Sequence, residues 1–388
     1  MTTTINNEHK KLNVPNLRFP EFKGEWKECT LEDVMKFSTT RVSSSELNED
    51  NYVSTENMLQ DFQGIVEAKS VPEDVNVISF SCGDILISNI RPYLKKVWKA
   101  SFNGGCSSDV FVLQANDNIE SDYLHYVVAN DKFINFVMSG AKGVKMPRGD
   151  KNQMKTYSLS LPQIQEQYKI AKLLSLLDER IATQNKIIED LKKLKCAIIE
   201  KLYSEIQGKE YSYRQLFEVV NERNKQMEYS NILSASQEKG MVNRDDLNLE
   251  IQFERSNVNT YKIVRAGDYV IHLRSFQGGF AFSDKLGVCS PAYTILRPNN
   301  LLEYGYLSYY FTSHRFIKSL IIVTYGIRDG RSINVEEWLN MKIAIPSKEQ
   351  QLHILKVLKS IDDIIENDEM YATCLANQKQ YLLHQMFI

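Results

Sequence analysis

The sequence lacks long apolar runs. No window of its 388 residues approaches the roughly 18 consecutive apolar residues that a membrane-spanning helix needs. The N-terminal segment Met-Thr-Thr-Thr-Ile-Asn-Asn-Glu-His-Lys has no apolar core of the kind that signal peptides carry. We therefore expect a cytoplasmic chain with no membrane partner. Because 43% of the residues are hydrophobic and 25% charged, disorder and collagen-like structure are excluded, and the length suits two domains of about 150 residues each.

Cysteine pairs and an excess of one charge are missing as well. The six cysteines form no Cys-x-x-Cys pair and have no histidine at zinc-ligand spacing, so we predict buried, reduced thiols. The 47 Lys and Arg residues nearly balance 49 Asp and Glu residues, for a net charge of −2. Such a chain has no global field that would attract nucleic acid, and an anionic partner must be bound by local patches.

Motifs for catalysis are not found. The sequence contains no Gly-x-Gly-x-x-Gly, no Gly-rich loop with Lys-Ser/Thr and no His-Glu-x-x-His. No motif therefore predicts a dinucleotide-binding, P-loop or zinc-peptidase site. The segment Ser290-Pro291-Ala292-Tyr293 has Ser and Ala where the Asn-Pro-Pro-Tyr motif of amino-methylating enzymes has an amide and a second proline. We predict that this chain has no catalytic residues, no cofactor and no metal of its own.

The chain does contain an internal repeat with an offset of 183 or 184 residues. Three pairs of segments show it: Gly83–Ile87 with Gly267–Ile271, Cys106-Ser107 with Cys289-Ser290, and Leu161-Pro162 with Ile345-Pro346. One shared offset over most of each half indicates two homologous units.

Each repeat is predicted to be a mixed α/β domain that ends at its proline. Short apolar runs separated by Gly, Asn and Ser, starting at Leu31–Val34 and Leu216–Val219, are typical of strands. The Gly83-Asp84 pair predicts a turn before a buried strand. Apolar residues at helical spacing predict one packed helix from Asp122 to Met138.

After each proline the apolar residues follow a heptad pattern. Alternating steps of four and three from Ile170 to Leu202, and from Ile354 to Met386, reach ten positions each, of which eight are apolar. The polar exceptions fall at the same two places: Gln184 and Lys195 in the first segment, Asp368 and Lys379 in the second. This is the pattern of a coiled-coil seam, repeated twice.

Two arrangements of these helices are open. Each helix could cap its own domain, as most amphipathic helices do. Alternatively the two pair with one another, which the narrow stripe and a length of about 48 Å from Ile170 to Leu202 favour. Antiparallel pairing makes the repeats equivalent, and it would place Gln184 and Asp368 near the midpoint, where a polar pair fixes the register. The predicted fold is therefore α+β, with two mixed α/β domains separated by an antiparallel coiled coil.

Basic residues cluster at equivalent places of the two repeats, mostly in segments that contain glycine. Arginine and lysine there are suited to phosphate contacts, and arginine and glutamine can also read base edges. The alternative is that these are solvated loop charges. The candidate DNA-binding residues are Arg91, Tyr93, Lys95, Lys96, Lys142, Lys145, Arg148 and Lys151 in the first repeat, and Arg274, Gln277, Arg328 and Arg331 in the second. We expect the segment from Lys142 to Lys155 to be a flexible loop.

These features resemble one protein family, the specificity subunits of type I restriction-modification enzymes. The resemblance is carried by the repeated junction of Leu/Ile-Pro, a Gln/Glu-rich helix start (Gln165-Glu166-Gln167 and Glu349-Gln350-Gln351) and a long heptad helix. The N-terminal segment from Val14 to Phe22, leading to Trp26, is also similar to one common in that family.

The resemblance implies a division into five parts. They are an N-terminal extension (1–24), two target-recognition domains (25–161 and 208–345), and two spacer helices (162–207 and 346–388). It also implies a subunit without an active site that binds an asymmetric bipartite site in double-stranded DNA. Its partners would be two methyltransferase subunits and two translocase/nuclease subunits, which would hold S-adenosylmethionine, ATP and Mg²⁺.

Two other functions remain open from the residues alone. The chain could be a self-contained nuclease or methyltransferase of unfamiliar motif, although no cofactor site supports this. It could also be a coiled-coil scaffold whose globular units bind protein. Substitution of Arg148 and Arg331 separates a scaffold from a DNA-binding protein, because only a DNA-binding protein would lose affinity and have a shallower dependence on salt concentration.

Overall fold

Two long helices contain the heptad segments, and each belongs to both of the compact units into which the chain divides. The computed structural model describes residues 13–236, 239–247, 255–272, 279–325 and 332–388. The first unit comprises residues 1–183 and 371–388, and the second comprises residues 184–370. Helix α5 spans Ile164–Ser204 and helix α10 spans Lys348–Met386, so each unit contains part of both.

The first unit is a mixed α/β structure built on two four-stranded sheets. Its helices before α5 are α1 (Leu31–Val34), α2 (Ser121–Val128), α3 (Asp131–Ser139) and α4 (Lys151–Lys155). Its strands are β1 (Lys27–Thr30), β2 (Met35–Phe37), β3 (Arg41–Ser43), β4 (Tyr52–Val53), β5 (Asn76–Phe80), β6 (Ile85–Ser88), β7 (Val97–Lys99), β8 (Gly104–Cys106), β9 (Val110–Ala115) and β10 (Ser158–Leu161). The sheets have the orders β2-β9-β6-β7 and β3-β5-β8-β4, and β1 pairs with β10.

The second unit repeats the first of these sheets. Its helices besides α5 and α10 are α6 (Tyr213–Leu216), α7 (Tyr306–Tyr310), α8 (His314–Ser319) and α9 (Val335–Asn340). Its strands are β11 (Lys209–Ser212), β12 (Phe217–Val220), β13 (Leu233–Ser236), β14 (Gly240–Asn243), β15 (Lys262–Val264), β16 (Tyr269–Ile271), β17 (Phe280–Phe282), β18 (Gly287–Cys289), β19 (Thr294–Pro298), β20 (Thr324–Tyr325), β21 (Ser332–Ile333) and β22 (Lys342–Ile345). The antiparallel sheet β12-β19-β16-β17 corresponds to β2-β9-β6-β7, and β11 pairs with β22 as β1 pairs with β10.

The predicted Gly-Asp turn is present in both units. Gly83 and Gly267 adopt φ values of +91° and +97°, which favour glycine because it has no Cβ. The carboxylate of Asp84 accepts a hydrogen bond from the Ser81 amide, and that of Asp268 accepts one from the Arg265 amide, each at 2.9 Å. The turns therefore direct the chain into β6 and β16, whose side chains are buried.

The heptad seam is confirmed, and the helices pair in the antiparallel orientation within each unit. None of the twenty seam positions is exposed. In the second unit Gln184 donates to Asp368 at 2.7 Å, and further along α5 Lys195 meets the earlier residue Asp362 of α10. The partner's number falls as the α5 number rises, which defines antiparallel helices.

One carboxylate in each unit joins the helix pair to the adjacent domain helix. In the first unit Asp178 binds Lys379 of α10 at 2.6 Å and accepts a hydrogen bond from the Tyr126 hydroxyl of α2 at 2.8 Å. In the second unit Asp362 binds Lys195 and accepts from the Tyr309 hydroxyl of α7 at 2.6 Å. We call these two sets of contacts the acid clasps, and they explain why lysine occupies the same place in both seams.

Two details of the sequence prediction are wrong. The segment Asp122–Met138 is two helices, because Asn130 ends α2 and caps α3 by accepting a hydrogen bond from the Phe133 amide. Leu31–Val34 is a helical turn with a capping box between Thr30 and Asp33. In the second repeat the corresponding turn, α6, ends at Leu216, and the strand predicted from Leu216 to Val219 is present as Phe217–Val220.

The cysteines are all free, as expected, but not all are buried. Cys82, Cys196 and Cys374 are exposed and Cys29 is partly buried. Only Cys106 and Cys289, the pair related by the repeat, are buried, and burial raises the pKa of both thiols to about 12. These two act as small apolar residues in the domain cores.

We expect Asp362→Ala to lower the free energy of unfolding by about 1–3 kcal/mol, because Lys195 and the Tyr309 hydroxyl both lose their acceptor in a half-buried place. Urea unfolding at pH 7 measures the loss. The matched control is Glu189→Ala, which removes an exposed pair with Lys193 on the same helix pair and should cost much less, because water screens an exposed ion pair. Equal losses would show that the clasp is an ordinary surface ion pair.

Candidate nucleic-acid interface

The basic segments of the first repeat form two adjacent loops at the end of the buried strand β6. The first loop, residues 89–96, follows β6 directly, and the second, residues 140–150, follows α3. The Arg91 amide donates to the Pro147 carbonyl at 2.8 Å, and the Gly149 amide donates to the Asn89 carbonyl at 3.0 Å. Backbone hydrogen bonds thus hold the two loops side by side on a rigid strand end.

The first loop presents side chains through an unusual backbone. Arg91 and Lys95 adopt positive φ values of 51° and 54°, which are uncommon for residues with a Cβ, on either side of a helical turn at Pro92–Leu94. Pro92 is buried, whereas Arg91 and Tyr93 are exposed. Strained backbone of this kind clusters at functional sites, where the fold fixes the direction of a side chain.

The second loop has a short braced tip. Lys142 and Arg148 exchange both backbone hydrogen bonds, at 3.1 and 2.9 Å, and Gly143 turns the chain with φ +98°. Between them Val144 is fully exposed, Lys145 is exposed and the Met146 side chain is 48% exposed. The tip therefore presents apolar side chains among cations.

The expected flexible loop from Lys142 to Lys155 is only partly a loop. Residues Lys151–Lys155 form helix α4, because the Asp150 carboxylate caps it by accepting from the Asn152 amide at 2.8 Å and the Gln153 amide at 3.3 Å. These backbone donors, with Lys142, lower the pKa of Asp150. The Asp150 side chain therefore stays charged at neutral pH.

Acidic neighbours neutralise several of the predicted cations. Lys95 binds Asp131 at 2.8 Å, Lys142 binds Asp150 at 3.2 Å, and Arg148 binds Asp109 at 3.0 Å. All three pairs are partly exposed, so their net stabilisation is small and a stronger anion can compete for the cation. Arg148 is 53% exposed and remains reachable.

Two further predicted lysines contact the domain itself. The Lys96 ammonium donates to the Thr55 carbonyl at 2.6 Å, and burial lowers the pKa of Lys96. The Lys151 ammonium lies 4.6 Å from the Phe111 ring centroid and 5.1 Å from that of Phe37, within cation–π distance. These contacts favour structural roles for Lys96 and Lys151.

Arg91 and Lys145 differ from the other candidates. Both are exposed, and within the described part of the chain neither forms an ion pair with an acidic side chain. Together with Tyr93 and the apolar tip residues they form what we call the loop face: Arg91, Tyr93, Val144, Lys145 and Met146. Such a surface can contact phosphates through its cations and base edges through its apolar and aromatic groups.

The second-repeat candidates Arg274, Gln277, Arg328 and Arg331 lie outside the described residues. The ends of both segments are described. The His272 amide donates to the Gly279 carbonyl at 2.9 Å, and Thr324 pairs with Ile333 across β20 and β21. The predictions for these four residues therefore remain predictions.

Sequence reasoning missed Val144 and Met146. Neither lies in a periodic pattern, and a lone valine gives no sign of exposure in a sequence. The only available signal was their place in a short segment of glycine and basic residues. Two of the acids that pair with the basic residues, Asp109 and Asp131, were also missed, since they are distant from Arg148 and Lys95 along the chain.

A metal site and a membrane-spanning helix have no candidate in the part of the chain that the structure describes. Over the residues whose placement is described, no group of three or more His, Cys, Asp or Glu side chains could hold a metal ion. Over the same residues, none of the helices has the length and apolarity that crossing a membrane requires.

Comparison with known proteins identifies the repeats. A family model described as the type I restriction modification DNA specificity domain matches residues 23–193 and again residues 208–371. A curated relative, the type I restriction enzyme MjaVIII specificity subunit of Methanocaldococcus jannaschii, is 29% identical over 301 residues, which are 68% of each chain.

Solved structures show the same fold. One from work on complex assembly and conformational transition of the type I R-M system has a TM-score of 0.60 at 16% identity, covering 92% of this chain and 96% of the other. The type I restriction-modification S subunit from M. genitalium has a TM-score of 0.54 at 14% identity, covering 97% and 99%. Since the family model matches both repeats and most of the chain, this protein belongs to the type I restriction-modification DNA specificity family.

Proposed function

We propose that this chain is the non-catalytic DNA-recognition subunit of a type I restriction-modification complex, in which each repeat reads one half of an asymmetric bipartite site. The observation that carries the proposal is the double family match, one copy over each repeat. Two homologous units whose loops differ in sequence suit two different half-sites. The helix pair would set the gap between the half-sites.

Recruitment of other subunits completes the proposed function. The chain would bring two methyltransferase subunits and two translocase/nuclease subunits to the site, and S-adenosylmethionine, ATP and Mg²⁺ would belong to those partners. Methylation at adenine N6 requires the base to leave the duplex stack, a task for the methyltransferase. This chain's own residues would hold the duplex in register.

We assign different DNA contacts to the charged and to the apolar residues of the loop face in the first unit. Arg91 and Lys145 are assigned to phosphates, because their charge is not already used by an acidic partner in the described residues. Val144 is assigned to base edges, since an exposed valine at a braced tip matches the methyl group of thymine in the major groove. Tyr93 and Met146 would border that contact.

The first test is methylation in the host. We expect co-expression of this chain with its methyltransferase subunit to produce N6-methyladenine in a bipartite motif on both strands, and omission of the chain to abolish it. Single-molecule sequencing of genomic DNA measures both. A stable complex that leaves no chain-dependent motif would favour the protein-scaffold alternative, and methylation by the purified chain alone would favour the enzyme alternative.

The second test concerns phosphate contacts. In the complex with the methyltransferase subunit, Arg91→Ala and Lys145→Ala should each make the plot of log K against log salt concentration shallower by about one unit. Affinity should fall for cognate and unrelated duplexes alike. Lys193→Ala, which changes an exposed lysine of α5, is the matched control and should leave the slope unchanged. An unaltered slope for both loop variants would remove them from the interface.

The third test isolates the thymine methyl group. Replacing individual thymines of the motif by deoxyuridine deletes only that methyl, and at one position of one half-site we expect affinity to fall about 3- to 10-fold. In Val144→Ala the same replacement should have no further effect, while Val75→Ala, another exposed valine of the first unit, should behave as wild type. Additive losses in Val144→Ala would assign the methyl contact to another residue.

A further inference from the structure

The repeat makes one surface of the first unit directly comparable with its equivalent in the second unit. In the first unit this surface, at the start of α5 and the end of α10, is covered by the chain's own residues 13–26, which we call the strap. The Leu17 amide donates to the Gln385 carbonyl at 3.0 Å, and Trp26 of the strap is only 4% exposed. The strap thus lies across both helices.

Specific side chains fasten the strap. Arg18 binds the fully buried Glu166 through two hydrogen bonds, at 2.7 and 2.8 Å, as a planar fork. The Lys169 ammonium lies 5.7 Å from the Phe19 ring centroid and 5.6 Å from that of Phe22. The Phe19 ring packs against the apolar core of the unit. An aromatic residue next to a cation is therefore the chemistry that this surface accepts.

The equivalent surface of the second unit is an open groove. The repeat places Gln350, His353 and Ile354 where the first unit has Glu166, Lys169 and Ile170, and Gly208 stands where the strap ends in Trp26. The groove has a volume of about 640 Å³, and its apolar wall is formed by Leu202, Ile206, Pro346, Leu352 and Ile354. The Leu352 side chain is 53% exposed there.

The charge of the groove favours a cationic occupant. Two acids, Glu205 and Glu349, and one lysine, Lys356, line it, and both carboxylates are exposed. Carboxylates repel the phosphates of DNA, so the groove does not suit nucleic acid. Its acidic edge and apolar wall match the two features of the strap, a cation followed by an aromatic ring.

We propose that this groove binds an extended segment of a partner protein that resembles the strap, with an aromatic side chain against Leu202 and Ile354 and an Arg or Lys near Glu205 and Glu349. The proposal goes beyond DNA recognition and does not depend on the loop face. It is supported by the first unit, where the strap, a segment with an arginine followed by an aromatic residue, covers the equivalent surface.

The probe is a fluorescein-labelled peptide with the sequence of residues 13–26, titrated into the full chain and followed by fluorescence anisotropy. We expect saturable binding that Leu352→Glu weakens at least 10-fold. Tyr168→Glu, at the equivalent exposed position of the first unit, is the matched control and should bind as wild type. A peptide with Arg18→Glu should bind at least 5-fold more weakly, because it brings a third carboxylate to the acidic edge.

A second readout needs no variant. Hydrogen exchange on the wild-type chain should slow at residues 205–208 and 349–356 when the peptide is added. No saturable binding, or binding that Leu352→Glu leaves unchanged, would overturn the proposal. Two other results would also overturn the proposal. Binding lost only with Glu166→Gln would show that the peptide displaces the strap in the first unit. Dimers that Leu352→Glu dissociates would identify a second copy of this chain as the occupant.

Discussion

The acid clasp is the interaction on which the arrangement within each unit depends. A single carboxylate, Asp178 or Asp362, binds a seam lysine of the other long helix and a tyrosine hydroxyl of the adjacent domain helix. Because one acid has both partners, it fixes the domain helix against the helix pair, and rotation of that helix would break the tyrosine hydrogen bond. The seam lysines Lys195 and Lys379 are therefore attachment points for the domain helices, and the stability lost at these two places of the seam is exchanged for a defined orientation.

That orientation matters for the loop face of the first unit. Arg91, Tyr93 and Lys145 lie on loops whose backbones are hydrogen-bonded to each other and to the end of β6, so the sheet supports both loops. A site that must match the groove geometry of DNA needs such support, because a small misplacement of a side chain loses a base contact. The positive φ values at Arg91 and Lys95 are backbone strain that accompanies the fixed direction of the loop side chains.

The prediction from sequence succeeded where a period or a repeat carried the information. Ile170 to Leu202 gave the seam because apolar residues at heptad spacing can bury only one stripe, and Gly83-Asp84 gave a turn because positive φ favours glycine. It failed at Asn130, where one capping side chain ended a helix that the apolar spacing alone would continue. It also failed for Cys82, Cys196 and Cys374, since composition does not determine exposure.

The sequence by itself determined the internal repeat and the family and favoured pairing of the two long helices, because these depend on spacing along the chain. The tertiary structure alone decided which cations are available to an anion. Lys95, Lys142 and Arg148 already meet carboxylates, Lys96 and Lys151 contact their own domain, and Arg91 and Lys145 point to solvent. Charge is a property of a residue, but its availability depends on neighbours that only folding brings within a few ångströms.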